Sequence, residues 1–276
     1  MIRKYATFLV AFVRMVTLAL PKWQRIHTLS RVSSRLVPIV PSAAGGVVLK
    51  FYTPSKISAY WPNVGLTAEP DTLRWIDGFA PSASLLDIGA NVGVYSLYAA
   101  AKGHRVMAFE PNPFTFNCLM NNLHINGLSD DIEAFCIAVA DRMEMGRFFM
   151  GDADPGSTGN VFGAGNKSVI VKQAGSFAVS MLALTIDDIV RIKGDGWFPE
   201  HIKIDVDSIE EKIIAGASAT LADPRLRSVL IEIAGGNDQI RQRGRELIAA
   251  IERHGFAVQD DHASFSGNRL FVRCPA

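Results

Sequence analysis

From residue 84 onward the sequence alternates short apolar runs with longer helical patterns, and the apolar runs end on carboxylates. The run 84–88 ends at Asp87 and Gly89, and a helix rich in Ala, Leu and Tyr is expected over 94–101, closed by Gly103. A strand over 105–109 leads to Glu110, and a helix over 113–125 stops at Asn126-Gly127. The next strand is expected over 132–139, leading to Asp141. Apolar strands separated by helices of this length imply βαβ units and a parallel sheet. The expected architecture is therefore α/β, a doubly wound and mostly parallel sheet.

Residues 142–179 break the rhythm, being rich in Gly, Ser, Asn and Asp around 151–168, and read as an excursion of loops and edge strands. A strand is expected over 180–184. Thr185 then has capping-box character with Asp188, opening a helix over 187–192. Strands over 201–206 and 228–233 flank a helix over 209–221. An amphipathic helix over 239–254 precedes a closing antiparallel strand pair, 256–258 and 269–272.

The net charge of +1 hides a division: residues 1–68 hold nine Lys and Arg and no Asp or Glu, leaving 19 basic residues against 27 acidic ones in the remainder. A basic, partly apolar extension over 1–64 and a second domain over 65–276 are expected. With 49% apolar and 20% charged residues the chain is globular, not disordered. Three cysteines are too few for a disulfide scaffold or a four-cysteine zinc site. Within the extension, residues 5–20 are mostly apolar, with Arg14 inside and Pro21 at the end, followed by Lys22, Trp23, Arg25, Arg31 and Arg35. Docking on protein, peripheral contact with an anionic membrane through residues 1–35, and a targeting role all remain open. The expected location is cytoplasmic, with the membrane surface as an alternative. No nucleic-acid module accompanies the basic arm, so no nucleic-acid partner is expected.

The chemistry concentrates in Leu85-Leu86-Asp87-Ile88-Gly89-Ala90-Asn91-Val92-Gly93-Val94-Tyr95-Ser96, between a strand and a helix. Gly89 and Gly93 permit a tight turn and close ligand approach. The spacing is not G-x-G-x-x-G, and Asp87 would repel a pyrophosphate. It suits a cationic ligand, such as a sulfonium bearing an α-ammonium. Glu110 lies where a carboxylate accepts hydrogen bonds from ribose hydroxyls, and Asp141 is expected to reach an adenine amino group. Together these residues describe a pocket for S-adenosylmethionine.

The chain resembles the FkbM family of methyltransferases over about residues 65–260. The matching runs are Asp87 to Leu97, Ala108-Phe109-Glu110-Pro111-Asn112-Pro113, Ala138-Val139-Ala140-Asp141, Leu184 to Asp188, and Ile202-Lys203-Ile204-Asp205-Val206-Asp207-Ser208-Ile209-Glu210. The resemblance implies a class I methyltransferase (Rossmann-like) fold, S-adenosyl-L-methionine as cofactor, and methylation of a hydroxyl on a small metabolite, sugar or glycan. Asp205-Val206-Asp207-Ser208 departs from the family's Asp-Val-Glu-Gly, which bears on acceptor choice. The cofactor residues are expected to be Asp87, Gly89, Ala90, Asn91, Gly93, Glu110, Asn112 and Asp141. The catalytic group is expected to be Asp205 as base or orienting carboxylate, then Glu232, with Lys203 tuning one of them. No metal is assigned; the rival account would place Mg²⁺ on Asp205, Asp207 and Glu232. A non-catalytic domain held to a membrane or partner by its basic arm is the competing function, and a homo-oligomer is an open alternative.

Overall fold

A computed structural model describes residues 2–163, 176–207, 209–233, 237–259 and 267–275. The chain divides into two compact units, residues 1–39 and 40–276. The first contains α1 (Ile2–Val16), a short 3-10 turn (Thr17–Ala19) and α2 (Lys22–Arg35). Pro21 separates the helices because it lacks an N–H to continue the first while its fixed φ suits the start of the second.

The second unit begins within β1 (Ile39–Ala44), which forms a hairpin with β2 (Val47–Tyr52), followed by α3 (Lys56–Ala68) and α4 (Pro70–Asp77). The expected boundary at residue 64 therefore falls inside α3. Leu49 and Phe51 of β2 are fully buried, and the β2 amides of Lys50 and Tyr52 donate to Asn126 Oδ1 and Asn122 Oδ1, 70 or more residues away. Those bonds satisfy backbone groups that an edge strand would otherwise leave unpaired, so the strand belongs to the second unit.

The main layer follows as β3 (Ser84–Ile88), α5 (Val94–Ala101), β4 (Arg105–Phe109), α6 (Pro113–Asn126) and β5 (Ile132–Phe135). The chain then builds a smaller sheet from β6 (Ala138–Val139), β7 (Glu144–Met150), β8 (Val161–Phe162) and β9 (Phe177–Leu184). It returns through α7 (Ile186–Lys193), β10 (His201–Ile204), α8 (Glu210–Ala215), α9 (Ser218–Ala222), β11 (Ser228–Glu232), α10 (Asp238–Glu252), β12 (Phe256–Val258) and β13 (Asn268–Arg273).

The large sheet has the order β12-β13-β11-β10-β3-β4-β5. Strands β11, β10, β3, β4 and β5 are parallel, and β13 runs antiparallel between β11 and β12. Strand alternation sorts the two faces. Leu86, Ile88, Ile202, Ile204, Val229 and Ile231 pack with residues of α7 to α10 and the small sheet. Leu85, Val106, Ala108, Leu230 and Leu270 pack with α4, α5, α6 and β2. Each such side chain, fully buried, contributes ~1.5–3 kcal/mol relative to exposure. The expected doubly wound sheet with a closing antiparallel strand is what the chain forms.

Two elements differ from expectation. The single strand anticipated over 132–139 is two: β5 ends at Phe135 in the large sheet, and β6 pairs with β9 in the small one. The helix anticipated over 209–221 is also two, broken at Gly216 and Ala217. A Cβ at residue 216 would collide with the Ala140 carbonyl, so glycine is needed where that close approach ends α8. Ala217 offers no capping side chain to α9. Asp187 of α7 supplies the cap instead, its carboxylate accepting from Ala219 N at 2.9 Å, Thr220 N at 2.8 Å and Thr220 Oγ1 at 2.6 Å.

Candidate active site

The carboxyl ends of β3, β4, β10 and β11 surround a cavity of about 300 Å³. This is where ligands bind in open α/β sheets, because adjoining loops diverge there. Gly89 turns the chain at the end of β3 with φ +82°, and a Cβ at that position would enter the Asp205 carbonyl. Glycine therefore lets β3 and β10 finish side by side. Asn91 follows in the left-handed region at φ +51°, a conformation asparagine tolerates better than most residues. Its backbone N–H donates to Glu110 Oε2 at 2.9 Å.

Asp87 and Lys203 are register neighbours on adjacent parallel strands, both facing α5. Asp87 is almost fully buried. Its Oδ2 accepts from Ser96 Oγ at 2.5 Å, while Oδ1 has no hydrogen-bond partner. Burial raises the Asp87 pKa, and Lys203 and Ser96 oppose that rise. A buried carboxylate oxygen without a donor is costly; here it borders the glycine turn, where a cationic ligand would satisfy it. Asn91 Oδ1 is likewise buried and unpartnered. Glu110 has its second oxygen on the Asn112 N–H at 2.8 Å. Burial lifts its pKa to about 7, against the pull of the two backbone bonds.

Across the cavity, Lys203 is 2% exposed. Its Nζ donates to Asp205 Oδ2 at 2.6 Å and lies 4.9 Å from the Tyr95 ring centroid. Burial works against the Lys203 charge, but Asp205, Asp87 and Glu69 outweigh it and raise its pKa. The ammonium stays charged and links the Asp87 side of the cavity to the Asp205 side. Glu232, the last residue of β11, is pushed up to about 8 by burial and by the neighbouring Asp205 carboxylate, with which it shares a hydrogen bond. Two carboxyls in contact resist losing both protons.

The lining contains Gly89, Ala90, Asn91, Glu110, Lys203, Asp205 and Glu232 from the expected set. Asp87 stands directly behind that wall. Three others do not reach the cavity. Gly93 caps α5 at φ +90°, and a Cβ there would strike Leu119, so its role is helix packing. Asn112 is fully buried and caps α6, its Oδ1 accepting from the Phe114 and Thr115 amides; only its backbone amide acts on the site, through Glu110. Asp141 lies beyond β6 with a partly exposed side chain 3.7 Å from Arg142. The break between β5 and β6 carries it away, and Ile137, Ala138 and Val139 line the cavity instead.

Several lining residues carried no sequence signal. Glu69, at the junction of α3 and α4, accepts from Asn268 Nδ2 at 3.1 Å and Thr72 Oγ1 at 3.2 Å. Trp61 of α3 donates its indole N–H to the Gly156 carbonyl at 2.7 Å. That bond joins α3 to the excursion, of which Ser157, Thr158, Asn160 and Phe162 enter the cavity wall. Asp207 fastens the same segment by accepting from Gly159 N at 2.5 Å. Among the described residues no group of three His, Cys, Asp or Glu is arranged to hold a metal ion.

Comparison with known proteins bears on this geometry. The family model described as "Methyltransferase FkbM domain" matches residues 87–258, more than half of the chain. The hexuronic acid methyltransferase AglP of Haloferax volcanii is 26% identical over 190 residues, covering 68% of this chain and 71% of that protein. The tRNA (guanine(37)-N(1))-methyltransferase of Coprinopsis cinerea is 36% identical over only 77 residues, and the chain spans 16% of its length. Among solved structures, a SAM-dependent methyltransferase from Agrobacterium tumefaciens aligns with TM-score 0.49 and 13% identity, covering 87% of this chain and 71% of that one. The orphaned Asp87 oxygen, the glycine turn and the Glu110 carboxylate fit S-adenosyl-L-methionine, the cofactor of this family. The chain belongs to the FkbM methyltransferase family.

Proposed function

We propose that the protein is an O-methyltransferase acting on a hydroxyl of a sugar, glycan or small metabolite. The carrying observation is the Lys203–Asp205–Glu232 cluster, which lines the same cavity as the Glu110 carboxylate and the glycine turn. When bound, S-adenosylmethionine supplies an electrophilic methyl on a sulfonium, and the acceptor oxygen forms a bond to carbon as the carbon–sulfur bond breaks.

The chain's own residues account for the rest. Asp87, whose Oδ1 is buried and unpartnered, would hold the cofactor's α-ammonium, and Glu110 would accept from the ribose hydroxyls. Ala138 and Val139, with Phe109 and Phe162, give an apolar wall against which a purine packs. Asp205 and Glu232 hold the acceptor hydroxyl and take up its proton. Lys203 orients Asp205 through its hydrogen bond to Oδ2. Much of the acceleration in such a displacement comes from alignment, because the leaving group is already good. Glu69, Thr158 and Asn160 offer the hydrogen bonds a polyhydroxylated acceptor needs. The likeness to a hexuronic acid methyltransferase supports a sugar acceptor.

The test is incubation of the purified protein with methyl-labelled cofactor and fractionated glycans or metabolites. Label in an alkali-stable methyl ether, lost in Asp205→Asn, is the expected result. Label confined to an amine or a carboxyl ester would overturn the hydroxyl assignment.

A further inference from the structure

Residues 2–35 take no part in the chemistry above. Their helices leave an unusual surface: Phe8, Leu9, Val10, Phe12, Met15, Val16, Leu18, Trp23 and Ile26 are all exposed, Phe8 to 71% and Trp23 to 80%. Exposed apolar side chains in this number mark a surface that something covers. Val10, Ala11, Met15 and Leu18 line a groove of about 650 Å³ together with Arg14 and Arg25. At 15 residues, α1 rises about 22 Å, short of the roughly 30 Å hydrocarbon core. Among the described residues no helix is long and apolar enough to cross a membrane.

Charge decides between occupants. Residues 1–39 carry seven Lys and Arg and no acid. A second copy of the segment would bring the same sign against itself. Many acids of the second unit are spent internally, in the cavity or in ion pairs such as Lys193–Glu133, Arg225–Asp223 and Arg227–Glu200. Exposed Phe, Leu, Met and Trp interleaved with Arg and Lys match a bilayer surface, where acyl chains take the apolar side chains and phosphates take the cations. We propose that the helix pair over residues 2–35 lies in the surface of a membrane containing anionic phospholipid, with Arg14 and Arg25 meeting headgroup phosphates beside the groove. Such seating brings the methyltransferase unit to acceptors held at a membrane, whichever hydroxyl it modifies.

The test is flotation of the full chain with vesicles of phosphatidylcholine alone, and of phosphatidylcholine with about a third phosphatidylglycerol, at low and raised salt. Binding is expected for the anionic vesicles only. It falls about tenfold or more in Arg14→Glu/Arg25→Glu, in Phe8→Ser/Phe12→Ser, and on raising the salt. Trp23 emission moves to shorter wavelength on binding, read as the difference from Trp23→Phe. S-adenosylhomocysteine affinity stays at the wild-type value in every variant, which separates lost docking from misfolding. Equal flotation with neutral vesicles, or undiminished flotation of the charge-reversed variant, overturns the proposal. So does a dimer that forms in place of vesicle binding and is dissolved by Phe8→Ser/Phe12→Ser.

Discussion

At the scale of single residues, burial raises the carboxyls Asp87, Glu110 and Glu232 around the candidate site. Burial and the neighbouring Asp205 raise Glu232 to about 8, so near neutral pH Glu232 holds its proton and accepts another poorly. If the pair receives the acceptor's proton, kcat rises as pH increases through about 8. A pH–rate profile checks this, and in Glu232→Gln the rising limb near 8 disappears; a profile identical to wild type would remove Glu232 from the proton path. The strand-end positions of Asp87, Glu110, Lys203, Asp205 and Glu232 were legible in sequence, where period-2 alternation and a switch to turn residues fix position closely. Glu69 and Trp61 were not legible as site residues. They reach the cavity only through contacts such as Asn268 to Glu69, across 199 residues, and Trp61 to Gly156, across 95.

At the scale of elements, the sequence was most informative where local signals were strong. Thr185 and Asp188 form the capping box their spacing implies, with Thr185 Oγ1 accepting from Asp188 N at 2.9 Å. Asn112 and Pro113 begin α6, and Gly127 ends it in the left-handed region, as their residue types favour. The same signals failed for α9, whose cap comes from Asp187, 32 residues away. Asp187→Ala therefore costs about 1–2 kcal/mol in denaturant unfolding, as a lost helix cap does, although residue 187 lies inside another helix. A loss below a few tenths would show that water caps α9 equally well. The misplacement of Asp141 has a similar origin. Apolar periodicity ran unbroken from 132 to 139, but β5 is an edge strand paired on one side only. Nothing local forces an edge strand to continue, and the chain crosses to β9 after Phe135.

For the whole molecule, the opposed charges of the two parts have separate explanations. Several acids of the second unit line or back the candidate cavity, and burial raises Asp87, Glu110 and Glu232. Glu110 and Glu232, ordinarily near 4.5, titrate at about 7 and about 8 in the folded protein. Between those values the folded state binds protons that the unfolded chain has released, so stability falls as pH rises from about 4.5 to 8. Thermal melts of ligand-free protein across that window should show a declining Tm, with a shallower decline in Glu232→Gln. A rising Tm would contradict the buried-acid picture. The doubly wound, mostly parallel sheet was legible because strand and helix signals alternate along the chain. The small sheet was not, since its pairings join β6 to β9 and β7 to both β8 and β9 across irregular segments.

The central claim is that the β3 turn holds S-adenosylmethionine through the Asp87 carboxylate, whose Oδ1 stands buried and without a partner. Calorimetric titration of S-adenosylhomocysteine into wild type and Asp87→Asn measures this directly. Asparagine keeps the size of the side chain and removes the charge. The account predicts saturable binding to wild type and at least a tenfold weaker affinity in the variant, the ~1.5–3 kcal/mol of a hydrogen bond to a charged group. Equal affinity in the two proteins would contradict it.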